Sequence, residues 1–154
     1  MNDYLARMLV VTLCLVCTWG CGNNDAQFQE AMDKGKAAFV SGTSQEKRQE
    51  ALDLFTRAIA LKPDSALAYL SRGHAYIKNS DMQKAFNDYD KAAALDPTMA
   101  HAYYHRALAR IALQSKDERA IIQDLQKALE LDSSIAAAGT LLMLYEKKDS
   151  GSPF

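Results

Sequence analysis

Residues 66–97 read ALAYLSRGHAYIKNSDMQKAFNDYDKAAALDP, and the spacing within them decides the fold. Tyr69 and Tyr76 lie two turns apart on one helical face with Gly73 between them. A helix from about Ser65 to Lys78 therefore carries two rings with a gap where a second helix can approach. Asn79, Ser80 and Asp81 interrupt the apolar pattern, and Ser80 or Asp81 is expected to cap a second helix running to about Leu95. On that helix Ala85, Tyr89 and Ala92 recur at i, i+4 and i+7, setting one large ring between two small residues on the face that meets the first helix. Pro97 closes the pattern, and Thr98 is expected to cap the next helix.

The pattern recurs along the chain. Ala51, Phe55, Ala58 and Pro63 stand 34 residues before Ala85, Tyr89, Ala92 and Pro97, and Tyr103 and Arg106 stand 34 after Tyr69 and Arg72. Ala128 follows Ala92 by 36 instead, which predicts two extra residues in the turn around Gln114 to Asp117, where a surface connection tolerates them. In order and spacing, Tyr69, Arg72, Gly73, Tyr76, Ala85, Tyr89, Ala92 and Pro97 resemble the tetratricopeptide (TPR) signature, aromatic-x-x-Leu-Gly-x-x-Tyr, then Ala-x-x-x-aromatic, then Pro. The resemblance spans about residues 28–148. It implies an all-α fold, a right-handed α-solenoid of three TPR helix hairpins plus a C-terminal capping helix. The repeats are expected near 29–65, 66–99 and 100–135, the cap at 135–148 and a tail at 149–154. Each hairpin leaves an apolar face uncovered, so stacking of neighbours makes the core.

The outer repeats vary the theme. In the first, Phe28, Ala31, Met32, Gly35, Ala38 and Phe39 recur at near-helical spacing, Ser41-Gly42 stops the helix, and Thr43-Ser44-Gln45-Glu46 reads as a capping box for the next. Lys36 stands where the glycine is expected, with about three extra residues before Ala51, so this helix is expected to pack less closely than the others. In the third, Ala107 takes the glycine position, Arg110 replaces Tyr76, Ser115-Lys116-Asp117-Glu118 reads as a capping box, and Ile121, Leu125 and Ala128 replace Ala85, Tyr89 and Ala92. Ile135, Ala138, Leu142 and Tyr145 would cover the exposed end of that repeat.

Residues 1–20 read as an export signal. Met8 to Trp19 is a 12-residue, largely apolar, uncharged run, too short for a membrane span of about 20 residues but of signal-core length. Thr18-Trp19-Gly20-Cys21 resembles a bacterial lipobox, which implies lipidation of Cys21 and a tether over 21–27. Plain secretion by cleavage at the same place is the alternative. The three cysteines, Cys14, Cys17 and Cys21, all lie at or before the proposed cut, leaving the mature domain no second thiol. The expected localisation is a membrane-anchored lipoprotein facing the periplasm or cell surface, or a soluble periplasmic or secreted protein.

A net charge of −1, with 24% charged residues, gives no basic excess to attract nucleic acid. No phosphate loop, nucleophile elbow, HExxH or paired-carboxylate spacing occurs, and the Glu46, Lys47, Arg48, Glu50 run reads as a solvated helix face. No enzyme and no cofactor are expected. The resemblance implies a concave groove lined by the first helix of each repeat. Out of phase with Tyr69 and Tyr76, the second repeat offers Leu67, Leu70, His74, Ile77 and Lys78. The third offers His101, Tyr104, His105, Leu108 and Ile111, and the first Glu30, Asp33, Lys34 and Ala37. The lysine and asparagine set by which some family members clamp a C-terminal carboxylate is not matched, since Asp33, Leu70 and Tyr104 stand there. The expectation is an adaptor of the cell envelope that holds a partner peptide or helix. Two alternatives stay open: a metal- or small-ligand-binding lipoprotein using His74, His101 and His105, whose spacing suits Zn²⁺ or Cu²⁺, and a scaffold self-associating through Leu141 and Leu144 of the last helix.

Overall fold

The computed structural model describes residues 24–149, which form seven helices and, among those residues, no strand. They are α1 (24–41), α2 (Gln45–Leu61), α3 (Ala66–Lys78), α4 (Met82–Leu95), α5 (Ala100–Ala112), α6 (Glu118–Leu131) and α7 (Ala136–Asp149). The expected signal, the tether through Asn23 and the Cys21 lipidation site lie outside the described residues. Each helix from α2 onward packs on the next, and α1 joins α2 through a shared core of Phe28, Met32 and Phe55. The result is the stacked series of hairpins, closed by a last helix, that the resemblance implies.

The periodic positions form the core. Ala51, Phe55, Ala58, Ala85, Tyr89 and Ala92 are all at most 1% exposed, as are Ile121, Leu125 and Ala128 of the third hairpin. Burying a ring such as Phe55 contributes roughly 1.5–3 kcal/mol relative to leaving it in water. The small residues beside it set how closely the helices approach. A Cβ built on Gly73 would stand 2.6 Å from Cε1 of Tyr89, and one on Gly35 would stand 2.7 Å from Cε1 of Phe55.

That second distance corrects the reading of the first repeat. Gly35, not position 36, is the counterpart of Gly73. Phe55 and Tyr89 differ by 34 and the two glycines by 38, so four extra residues lie between Gly35 and Phe55. The packing of α1 on α2 is as close as that of α3 on α4. Three residues join α1 to α2, as three join α3 to α4, so the insertion lengthens the end of α1 by one residue and the start of α2 by three, and the contact of Gly35 with Phe55 stays in register.

Several caps also differ from expectation. Ser65 and Ser44 cap α3 and α2 by accepting from the amides of Ala68 and Lys47, so Ser44 rather than Thr43 opens α2. Asp81 occupies the cap position of α4, but its carboxylate meets Lys84 at 3.1 Å and caps no amide. Thr98 does not cap α5. Its amide and hydroxyl both donate to Asp96 Oδ1, at 2.9 and 2.6 Å, and Met99 precedes the helix. In α6 the cap is Asp117, which accepts from Ala120, while Ser115 braces Asp117 from outside the helix. The two extra residues before α6 appear where the period placed them: five residues link α5 to α6, and three link α3 to α4.

Two buried ion pairs bind the stack. Arg72 on α3 grips Asp88 on α4 with two hydrogen bonds of 2.8 Å and reaches Thr56 on α2 at 3.4 Å. Arg106 on α5 repeats this with Asp124 on α6, and its remaining nitrogen reaches Asp90 on α4 at 2.6 Å. Each guanidinium thus ties the two helices of its own hairpin to the second helix of the hairpin before. Arg110, in place of Tyr76, also donates to Asp124 and lies over Phe86. Loss of either buried carboxylate would strand a desolvated cation, at a cost of about 3–5 kcal/mol.

Candidate functional site

Residues from α1, α3, α4 and α5 enclose a cavity of about 490 Å³. Of the expected groove residues, His74, Ile77, Lys78, His105 and Leu108 line it, with Phe39, Met82, Tyr89, Ala109 and Ala112. The helical period delivers them. His74, Ile77 and Lys78 share one face of α3; His105, Leu108, Ala109 and Ala112 share one face of α5. Its volume falls in the range of small-ligand pockets, roughly 300–1,000 Å³.

The remaining expected residues sit elsewhere. Leu70 is only 8% exposed and belongs to the core shared by α3, α4 and α5. Ile111 packs in the core of the third hairpin, with Tyr104 beside it. Leu67 is exposed and lies outside the cavity. In the first repeat the four-residue insertion shifts the face: Glu30, Asp33, Lys34 and Ala37 are exposed and do not line the cavity, whereas Phe39 does. Phe39 stands 38 residues before Ile77, so aligning the glycines would have found it. Lys78 fixes that wall, donating to the Phe39 carbonyl at 2.6 Å with its ammonium 3.9 Å from the centre of the Phe39 ring.

The floor is aromatic. His105 meets His74 edge to face, with ring centres 4.4 Å apart, and stacks on Tyr89 at 5.4 Å. Tyr104 and His101 flank it at 5.2 and 6.3 Å, and His74 lies 5.6 Å from Tyr89. Burial, with nearby His74 and His101 adding to it, pushes His105 down to about 4. Burial and His101 lower His74. Burial, then Asp88, raises the Tyr89 hydroxyl. Both half-buried imidazoles are therefore neutral at pH 7. The histidines meet edge to face or tilted, and among the described residues no three His, Cys, Asp or Glu side chains are placed to hold a metal ion. Two polar atoms here, His74 Nε2 and the Tyr89 hydroxyl, are buried without a hydrogen-bond partner.

At the far end, Ile135 and, from α7, Ala138, Leu142 and Tyr145 pack against the third hairpin. Leu141, expected to be left over, packs there too, whereas Met143 and Leu144 are exposed, Met143 at 74%.

Residues 66–99 match the tetratricopeptide repeat family model. Among curated proteins, the chain is similar to Protein SGT1 homolog of Oryza sativa subsp. japonica, at 36% identity over 104 residues covering 68% of this chain and 26% of that protein. It is also similar to Hsc70-interacting protein 1 of Drosophila melanogaster, at 35% identity over 97 residues covering 63% of this chain and 25% of that one. The chain thus spans about a quarter of the length of these relatives. Among solved structures, the first TPR of Spaghetti (RPAP3) bound to the HSP90 peptide SRMEEVD superposes with a TM-score of 0.71 at 25% identity, covering 81% of this chain and 94% of that one. The second TPR domain of human RPAP3, in complex with the HSP70 peptide SGPTIEEVD, gives 0.70 at 28% identity, covering 80% and 98%.

Proposed function

We propose that this chain, with a tetratricopeptide repeat at residues 66–99 and the fold of peptide-binding TPR domains, is a protein-interaction adaptor that performs no chemistry of its own. It holds a partner's peptide or helix against α3 and α5. The observation that carries this reading is the open apolar cavity between those helices, lined by Ile77, Leu108 and the neutral rings of His74 and His105, in a fold whose solved relatives hold peptides. Those relatives bind segments ending in EEVD. Here Lys78 is the one charged residue of the cavity lining, and it is already engaged by Phe39. A less acidic segment fits better, because carboxylates without basic partners lose more hydration than they regain.

Export and attachment of Cys21 to lipid would place the adaptor at the bacterial cell envelope. The support is the short apolar run before Gly20-Cys21 and the confinement of all cysteines to that region. Mass spectrometry of the mature N-terminus tests this part: a lipid-modified Cys21 is expected, and a free cysteine or an uncut chain overturns it. Crosslinked capture from the protein's own membranes tests the adaptor. Ile77→Glu with Leu108→Glu is expected to abolish a capture seen with the wild type while leaving the helical signal intact. Undiminished capture by that variant would remove the groove from the account.

A further inference from the structure

We propose that α7 is a docking face for a second copy of this chain, two α7 helices pairing antiparallel with Met143 of each over Gly139 of the other. The inference goes beyond the groove and does not depend on it. Four residues link α6 to α7, as four link α2 to α3 and α4 to α5. In that link Ser134 donates twice to Asp132 Oδ1, at 2.9 and 2.6 Å, as Thr98 does to Asp96 before α5. Ala138 follows Ala102 by 36 residues and Ala102 follows Ala68 by 34, and all three are 0% exposed. By link, turn and register, α7 therefore stands as the first helix of a fourth hairpin. Among the described residues no second helix of that hairpin follows it.

The face that would receive such a helix is bare, and its relief is reversed. In register with Met143 stand Gly73 and Ala107, the small residues beside which Tyr89 of α4 and Leu125 of α6 pack. In register with Gly139 stand Tyr69 and Tyr103. Thus α7 is large where its forerunners are small, and small where they carry rings. Met143 is 74% exposed, and a Cβ added to Gly139 would meet nothing within 4 Å. A helix that covers this face must set a large apolar side chain on Gly139 and a small residue against Met143, one turn further on. A second α7 running antiparallel does both at once, the self-complementary arrangement of a two-fold pair. Charge does not oppose it. Residues 136–145 carry none, Glu146, Lys147, Lys148 and Asp149 cancel, and the dipoles of antiparallel helices attract. One helix face per copy is smaller than the standard interface of about 1,600 Å², so the pair is weak and forms where copies are crowded.

The test uses the full chain with the photo-crosslinker p-benzoylphenylalanine replacing Ala136, an exposed residue one turn before Gly139. Unlabelled and heavy-nitrogen copies are mixed and irradiated over a series of rising concentrations. The expected result is mixed-isotope peptides joining position 136 of one copy to residues 143–146 of the other, with a yield that grows with concentration. Met143→Glu and, separately, Gly139→Trp should each lower that yield about tenfold, the loss of one central interface contact. Both positions lie off the side on which Ala138, Leu142 and Tyr145 pack, so the helical signal should stay intact, and each variant checks the other. Peptides of a single isotope only, mixed pairs ending on any other segment or on another protein, or a yield indifferent to both variants overturns the inference. Ile77→Glu with Leu108→Glu should leave the yield unchanged, so loss of groove binding and loss of pairing are read separately. A fall with that double variant as large as with Met143→Glu would put the contact in the groove and overturn the pairing through α7.

Discussion

A methyl group at position 73 has nowhere to go. The ring it would strike belongs to the 1% exposed Tyr89, which cannot swing aside without opening the core. Gly73→Ala should therefore destabilise the domain by about 1–3 kcal/mol, the usual cost of overpacking, measured by urea unfolding. In a Tyr89→Leu background the same change should cost much less, because Ala107 and Leu125 occupy the same two places in the third hairpin. Equal costs in both backgrounds would show that the ring is not the obstacle. The alternation of small and large residues was legible in the second repeat because glycine and aromatic stand there at family spacing. In the first repeat it was obscured. Allowing about three extra residues where there are four landed one residue past Gly35, and with that slip the wall residue Phe39 was lost from the groove.

Within the elements, the helix bodies were plain in the sequence and their ends were not. Ser80 and Gln114 have φ of 62° and 54°, and each ends its helix with a pair of backbone bonds. Asp81 donates to the Tyr76 carbonyl and Ser80 to that of Ile77; Ser115 donates to Arg110 and Gln114 to Ile111. This is a Schellman turn, which ordinarily takes glycine at the left-handed position. No glycine marked it in either repeat, so Ser80 was read as a candidate cap for the following helix rather than as the close of the preceding one. Left-handed backbone costs a residue with a side chain roughly 1–2 kcal/mol. Ser80→Gly should accordingly raise the midpoint of urea unfolding by an amount worth up to about 1 kcal/mol, after the greater chain entropy glycine has when unfolded. A lowered midpoint would show that the serine is held there by something more than the turn.

Over the whole molecule, the feature least visible in sequence was the charge inside it. No spacing in the sequence singles out Asp88 and Asp124, and only the fold brings Arg72 and Arg106 over them. The histidines were legible as a cluster, but their neutrality came only with burial. It has a measurable sign. In the folded chain His74 and His105 hold protons less readily than an ordinary imidazole near 6.5, His105 titrating at about 4. The unfolded chain therefore takes up protons first as the medium acidifies, and folding free energy drains away from about pH 6.5 towards pH 4, with no such loss above that window. Thermal unfolding across that range should show a steeper fall for the wild type than for a His74→Phe, His105→Phe variant, whereas parallel curves would mean that carboxylates alone set the slope. The two arginine ties are also unevenly shared. In the first hairpin Lys34 stands in register with Arg72 and Leu54 with Asp88, and among the described residues Lys34 pairs with Glu30 on its own exposed face. The pocket thus borrows a side from the hairpin that has no buried arginine tie of its own, so a visitor would enter by prising Phe39 outward, and amide exchange should run faster along that seam than between α3 and α4.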